Sequence, residues 1–312
     1  MGSAVKLKRL FASMREGNLR AIFELLMEFL LLLCGLVCVL TTLAVLFVLG
    51  YETFIFFKKV SFFDFLTDTQ WTPLFADKHF GILPLLGGTI LTSAIAMMVA
   101  LPFGLLAAIY LSEFASQGAR RTLKPLLELL AGIPTVVYGY FALIFMTPFL
   151  QKIIPNLAGF NGLSPGIVMG IMIIPMVSSL SEDALYAVPQ NLKEASYALG
   201  ARKLLTIFHV VIPSAFSGIA AAITLATARA VGETMIVTIA AGQRPTFTLD
   251  PRVPIETMTA YIVQVSMGDT PRGTLEYQTI FAVGSSLFAL TFGINWWSQR
   301  LARRRRLDSA CN

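Results

Sequence analysis

Six apolar stretches, each long enough to cross a lipid bilayer, constrain this chain more than any other feature of its sequence. A membrane-crossing helix needs about 20 predominantly apolar residues. The predicted spans are 29–50, 82–111, 126–150, 163–180, 207–240 and 280–297. Only 13% of the residues are charged, which is about half the share in an ordinary soluble domain. The sequence therefore predicts an all-α integral membrane protein with about six transmembrane helices.

Lys and Arg residues are distributed unequally between the two sides of these spans. With the N-terminus inside, the inner segments carry 16 of them and the outer segments carry seven. Cytoplasmic loops are enriched in Lys and Arg, so both termini are expected in the cytoplasm. The predicted organisation is a basic inner segment at 1–28, a transmembrane domain at 29–298 with outer loops at about 51–81 and 241–279 and an inner loop at 182–206, and a basic inner tail at 299–312.

Two charged residues, Arg229 and Glu233, lie inside the fifth predicted span. A charge at the bilayer centre costs about 2.5–3.5 kcal/mol on insertion scales, so such residues usually face the protein interior or a water-filled path. Four positions apart on a helix, the two can form an ion pair. Arg229 would attract a small oxyanion, Glu233 would orient the guanidinium, and Thr234 lies beside them. The alternative is a buried pair that only fixes helix packing.

Helix-breaking residues occur within several predicted spans, namely at Pro102, Gly132, Pro134, Pro175 and Gly218. Non-helical backbone at membrane depth is tolerated mainly where it is buried in protein or lines a cavity. Pro134, Thr135 and Tyr138 are therefore candidates for a second wall of a path across the membrane. Simple kinking for packing explains the same residues equally well.

The segment between the fourth and fifth spans is too polar to cross the membrane and too apolar for an unstructured linker. Pro189 separates two short helical stretches, and Gly200 suits a sharp turn after the second. A short inner helix of this kind can dock another protein, or it can be an ordinary amphipathic interfacial loop. The sequence contains no Gly-x-x-x-x-Gly-Lys-Ser/Thr phosphate loop, and the separation of His79 from His209 does not favour a metal site. We therefore expect neither ATP hydrolysis nor another enzyme activity from this chain.

The same segment resembles the EAA loop of ABC-importer permeases. The residues that carry this resemblance are Glu194, Ala195, Gly200 and Pro213. Their spacing follows the family pattern, with mild departures at Ser196, Val210 and Ile212. The resemblance implies that the loop holds a short coupling helix, and that these four residues contact a separate cytoplasmic ATPase.

Two further segments, 128–139 and 229–235, resemble the phosphate-specific importer permeases, and the ending Gly-Glu-Thr-Met is closer to the PstC type than to PstA. In that family the residues matching Arg229 and Glu233 are implicated in phosphate movement. The resemblance implies a multi-pass permease of the inner membrane that works with a PstA-like second permease, a PstB-like ATPase dimer using ATP and Mg²⁺, and a PstS-like phosphate-binding protein outside. The residues themselves indicate no cofactor on this chain, because no phosphate loop or metal-ligand spacing occurs, and no nucleic-acid partner, because the basic residues cluster at the ends of apolar spans.

Other functions remain compatible with the residues themselves. The chain could be a secondary oxyanion transporter or channel that works alone, or a purely structural membrane scaffold. It could also serve sulfate or molybdate, because only the family resemblance selects phosphate among the oxyanions.

Overall fold

The computed structural model describes the backbone of residues 19–310. The predicted N-terminal segment lies outside the described residues as far as residue 18, and so do the last two residues of the predicted tail. The described part contains helices joined by loops and no strand, which confirms the all-α fold class. It divides into two compact units between Phe54 and Ile55.

We number the described helices α1 to α13 in chain order. They are α1 (Leu19–Phe57), α2 (Phe62–Thr67), α3 (Leu83–Ile109), α4 (Gln117–Ala131), α5 (Thr135–Phe141), α6 (Thr147–Gln151), α7 (Leu163–Tyr186), α8 (Gln190–Ala198), α9 (Lys203–Thr206), α10 (Ile212–Val231), α11 (Met235–Ala240), α12 (Met258–Met267) and α13 (Leu275–Ala310). Single π-helical turns extend α3, join α5 to α6 and join α9 to α10. These turns are Tyr110–Phe114, Ala142–Met146 and Ile207–Val211.

Within residues 19–310, five continuous helical rods are long and apolar enough to cross a membrane. They are Leu26–Phe57, Leu83–Phe114, Leu163–Tyr186, Lys203–Val231 and Leu275–Ser298. They correspond to the first, second, fourth, fifth and sixth predicted spans. The α1 helix as far as Phe54 makes up the described part of the first unit, and all the other rods lie in the second unit.

The third predicted span, 126–150, is wrong as a single helix. The chain bends by 83° between α4 and the α5–α6 segment. Pro134 has no N–H to continue the helix and disfavours helical geometry in the residue before it. The Tyr138 hydroxyl donates a hydrogen bond of 2.8 Å to the Leu130 carbonyl, which fastens the two arms of the bend together. Taken together as one bent span, α4 and the α5–α6 segment bring the described residues to six spans.

Three other predicted breakers do not break their helices. Pro102 lies within α3, Pro175 within α7 and Gly218 within α10. The fifth predicted span, 207–240, does break, at the three residues between α10 and α11. Backbone groups freed by a Pro inside a membrane helix can be satisfied again by neighbouring helices and local π adjustments, so the residue type alone does not locate the break.

Small residues bring α3 and α7 into close contact in the core of the second unit. A Cβ at Gly170 would lie 2.7 Å from Val99 Cβ, and one at Gly104 would lie 2.7 Å from a Val177 methyl. Only hydrogen fits in these positions, so the two helices interlock along their length. Residues of α5, α10 and α11 complete the same apolar core.

The predicted outer loop at 241–279 contains a short buried helix, α12, where the proline content indicated irregular surface structure. Tyr261 is buried beside Trp71, with their ring centroids 5.0 Å apart. Phe56, Phe65 and Val283 belong to the same apolar cluster. Burial of these large side chains, worth roughly 1.5–3 kcal/mol each, draws the loop into the protein.

Candidate functional site

The candidate site is built around the break that separates α10 from α11. Helix α10 ends at Val231, and Gly232 and Glu233 follow in a non-helical turn before α11 begins at Met235. Arg229 therefore lies in the last turn of one helix, and Glu233 precedes the first turn of the next. Each charge complements the partial charge of its own helix end, because C-termini favour cations and N-termini favour anions.

The Glu233 carboxylate accepts hydrogen bonds from the backbone of α11. Its Oε1 accepts hydrogen bonds from the Met235 and Ile236 N–H groups, at 3.2 and 3.4 Å. The Thr259 hydroxyl of α12 donates to the Glu233 carbonyl at 2.7 Å. Glu233 is buried, and these bonds hold it as the cap of a helix that would otherwise leave its N–H groups unsatisfied.

Arg229, in contrast, is exposed on the surface of this chain. Among residues 19–310 its guanidinium makes no ion pair and no side-chain hydrogen bond. The predicted ion pair between Arg229 and Glu233 is therefore wrong for this structure, because the helix that would have aligned the two residues ends between them. Thr234 is partly buried and its hydroxyl donates to the Gly232 carbonyl at 3.3 Å.

The second set of candidates lies at the bend after α4. Helix α5 packs against α11 so closely that a Cβ at Gly139 would lie 3.2 Å from the Met235 carbonyl oxygen. The two breaks in the helices are therefore neighbours in the structure. Tyr138 is buried and its hydroxyl is already used at the bend, whereas Pro134 is exposed and Thr135 is partly exposed. Of these three, Pro134 and Thr135 remain accessible.

One buried acid near this region escaped the sequence reasoning. Glu256 precedes α12 and is 2% exposed, and its Oε1 has no hydrogen-bond partner. Burial raises the pKa of its carboxyl to about 8, because a desolvated carboxylate is costly. Two positions further on, the Met258 N–H donates to the Thr89 hydroxyl at 3.0 Å. The only sequence signal was an acidic residue beside an apolar run in a loop, which is too common to single out.

The predicted docking loop has a distinct outer face. Glu194 and Ala195 on α8 are exposed, as is Gly200. Gly200 has a φ of +83°, a conformation that favours glycine, so the predicted sharp turn after this helix is present. Pro213 lies in the first turn of α10 and is also exposed. These four residues are accessible for contact with another protein.

The inner face of the same loop is held by charged contacts that sequence reasoning missed. Lys193 Nζ lies 2.6 Å from Glu113 Oε1 at the end of the α3 rod. The Ser196 and Thr206 hydroxyls are 2.9 Å apart. Ser196 is one of the residues that depart from the family pattern, and here its hydrogen bond joins α8 to the start of the next rod.

A second charged cluster attaches α4 to α7. The Glu182 side chain is fully buried and forms ion pairs with Arg120 and with Lys124, whose Nζ lies 2.8 Å from Oε2. Lys124 also lies 3.0 Å from Asp183. Within residues 19–310 no group of three His, Cys, Asp or Glu side chains could hold a metal ion.

Comparison with known proteins places these features in a family context. Residues 100–307 match the family described as "Binding-protein-dependent transport system inner membrane component". The chain is 33% identical over 276 residues to the probable ABC transporter permease protein YqgH of Bacillus subtilis, covering 88% of this chain and 89% of that protein.

Two relatives carry the name "phosphate transport system permease protein PstC". The relative from Mesorhizobium japonicum is 35% identical over 249 residues, covering 74% of this chain and 75% of that protein. The relative from Xylella fastidiosa strain 9a5c is 33% identical over 257 residues, covering 76% of each.

Solved structures share the fold at lower identity. A bacterial alginate ABC transporter, crystallised with an alginate pentasaccharide-bound periplasmic protein, matches with a TM-score of 0.60 at 16% identity, covering 89% of this chain and 95% of that chain. An inward-facing MetNI methionine ABC transporter matches with a TM-score of 0.53 at 20% identity, covering 72% and 94%. At these identities the likeness shows a common fold.

Proposed function

Because this chain belongs to the family of binding-protein-dependent transport system inner membrane components, we propose that it is the PstC-type permease subunit of an ATP-driven phosphate importer. Its relatives named as phosphate permeases support the substrate, and its membrane-spanning helices support a place in the inner membrane. The sequence-based resemblance to this family is thereby confirmed. The structural observation on which the proposal depends is the exposed guanidinium of Arg229, next to the break between α10 and α11.

Arg229 is the group that attracts the anion in this proposal. Glu233 caps α11 and does not neutralise the guanidinium. A guanidinium presents paired N–H donors that match a tetrahedral oxyanion. A guanidinium exposed to lipid has an unfavourable free energy. This cost supports the presence of a second, similar permease that covers Arg229. Pro134 and Thr135 supply accessible surface at the neighbouring bend. The path is thus formed between two permease subunits.

Replacing Arg229 by Gln tests this role. We expect the Arg229→Gln complex to assemble normally and to lose phosphate uptake, because the amide keeps a polar side chain at this position without its charge. Arg121→Gln is the matched control, since Arg121 is exposed on α4, away from the helix break. Uptake of radiolabelled phosphate by intact cells is the measurement. Wild-type uptake by Arg229→Gln would refute the proposed path.

The exposed face of α8 is the proposed docking site for a separate ATPase dimer. Glu194 and Ala195 lie on this face, with Gly200 directly after it. The reversal Glu194→Lys is expected to release the ATPase or to uncouple it, while membrane insertion stays normal. Co-purification of the ATPase, together with ATP-dependent uptake, measures both effects. Full uptake by this variant would contradict the docking assignment.

A stand-alone transporter would move phosphate without an ATPase, whereas the proposed importer requires ATP hydrolysis by a partner. Vesicles that contain only this chain should show no phosphate flux if it is one subunit of an ATP-driven importer. Vesicles with the second permease, the ATPase and an external phosphate-binding protein should take up phosphate when ATP is supplied to the ATPase side. Flux through the chain alone would favour a channel or secondary transporter.

A further inference from the structure

The loop proposed to receive the ATPase is joined to the membrane helices by a buried ion pair. The side chains of Lys193 on α8 and Glu113 on the π-turn after α3 are 10% and 6% exposed, and their charged atoms lie 2.6 Å apart. Lys and Glu are almost never so buried unless they are paired. Removing one partner of a buried pair is strongly destabilising, because the other charge is left without compensation, so each of these two side chains depends on the other.

A second lysine of the loop contacts the same π-turn. Lys203 Nζ lies 4.5 Å from the centre of the Phe114 ring, which is the range of a cation–π contact. Glu113 and Lys193 also line a cleft of about 580 Å³ that borders Tyr186. The Glu113–Lys193 contact therefore lies at the edge of a cleft between α8 and the end of α3.

The two faces of α8 have different partners. Lys193 points into the protein, whereas its neighbours Glu194 and Ala195 are exposed. One face is therefore available to an ATPase while the other holds the α3 rod. Since α3 interlocks with α7 at Gly104 and Gly170, a displacement of α8 through Glu113 would move both helices together.

We propose that the Glu113–Lys193 ion pair is the positioning contact that transmits movement of α8 to the α3–α7 pair during ATP-driven transport. This inference rests on the proposed function. Neither residue contacts phosphate or ATP in this proposal; they set how much transport each hydrolysis event produces. A buried lysine separated from its carboxylate loses the counter-charge that compensates for its desolvation, so the pair resists separation.

A charge swap in the complete complex tests this inference. The complex is reconstituted in vesicles with its ATPase, second permease and phosphate-binding protein, and phosphate taken up per ATP hydrolysed is measured. Lys193→Glu and Glu113→Lys each leave two like charges facing each other, whereas the double variant Glu113→Lys/Lys193→Glu restores an opposite pair. Arg121→Glu is the control for a charge reversal on the same side of the membrane.

We expect each single reversal to retain the ATPase and its hydrolysis but to lower uptake per ATP by about tenfold or more. The swap should recover most of the ratio, and Arg121→Glu should leave it unchanged. A purely structural role would lower complex yield without changing the ratio. Unchanged ratios in the single variants, or a swap as poorly coupled as they are, would overturn the inference.

Should the reversed variants fail to assemble, Glu113→Gln/Lys193→Met removes both charges at nearly constant volume. An assembled but poorly coupled neutral complex supports the inference. A normal ratio, or failure to assemble, overturns it. Wild-type uptake is measured first in the same vesicles: its absence refutes the proposed function, whereas normal wild-type uptake with fully coupled variants refutes only the role of the ion pair.

Discussion

At the scale of single residues, the break after α10 separates two charges that are only four positions apart in sequence. In a continuous helix Arg229 and Glu233 would share one face. In the structure Glu233 instead caps the N–H groups of Met235 and Ile236. Both arrangements satisfy the carboxylate. The second leaves the guanidinium without a partner among the described residues, as the proposed anion path requires.

Glu256 supports a prediction about pH. Its carboxyl is buried and its pKa is raised to about 8 from an ordinary value of 4.5, so the folded protein binds a proton that the unfolded chain has already released. Between pH 5 and 8 the wild-type free energy of unfolding should therefore fall, relative to Glu256→Gln, by about 1.4 kcal/mol per pH unit.

Thermal unfolding in detergent at pH 5 and pH 8 measures this difference. The advantage of Glu256→Gln should be larger at pH 8, where the wild-type carboxyl begins to ionise in its buried site. Glu276→Gln is the control, because the Glu276 carboxylate is partly exposed and already paired, with Lys78 Nζ 2.5 Å from its Oε1. This substitution should not stabilise the protein at pH 8. A pH-independent effect of Glu256→Gln would contradict the assigned cause.

At the scale of elements, the charged cluster at Glu182 holds α4 against α7. The bend at Pro134 points α4 nearly at right angles to α5, and Arg120 and Lys124 reach back to the buried carboxylate. Glu182→Gln should loosen α4, because two cations lose their buried counter-charge.

Hydrogen exchange of α4 backbone amides measures this loosening. Asp183→Asn is a matched control on the adjacent residue, whose side chain is 61% exposed and whose ion pair is therefore worth little. We expect faster exchange across α4 in Glu182→Gln and little change in Asp183→Asn. Equal exchange in both variants would show that apolar contacts, rather than Glu182, hold α4.

The interlocking of α3 and α7 supports a second prediction at this scale. Gly170→Ala places a methyl group 2.7 Å from Val99 Cβ and 2.8 Å from the Ala96 carbonyl oxygen. Overpacking of this kind costs about 1–3 kcal/mol, so the thermal unfolding temperature should fall. Gly293→Ala in α13 is the control, because nothing lies within 4 Å of its added methyl. Equal stability of both variants would mean that the helices adjust freely.

At the scale of the whole molecule, the distribution of Lys and Arg predicts both termini in the cytoplasm. Single cysteines at Asn191 and Lys152 test this orientation after the native Cys34, Cys38 and Cys311 are replaced by Ser. Both positions are exposed. A membrane-impermeant thiol reagent added to intact spheroplasts should label Lys152→Cys and spare Asn191→Cys. The reverse pattern would invert the topology, and with it the proposed position of the ATPase.

The apolar lengths in the sequence were sufficient for the fold class, for most of the spans and for the loop between the fourth and fifth. The length of an apolar run is a local property of the sequence. A run of about 20 residues can cross the bilayer whichever helices lie beside it. The spacing of Glu194, Gly200 and Pro213 is likewise a local pattern. The sequence motifs also indicated the family, which the similarity to known permeases confirms.

Only the tertiary structure decided which proline bends the chain, where the fifth rod ends and which charges meet. Lys193 and Glu113 are 80 positions apart, and Lys124 and Glu182 are 58 apart, so no periodicity relates them. Glu233 had two ways to satisfy its carboxylate, with Arg229 or with the backbone of α11. Contacts from α12 and α5 bury the start of α11. A buried helix end must have its N–H groups satisfied, and Glu233 satisfies them here. The residues of α12 and α5 that bury this end are distant in sequence, so the sequence alone did not reveal the choice.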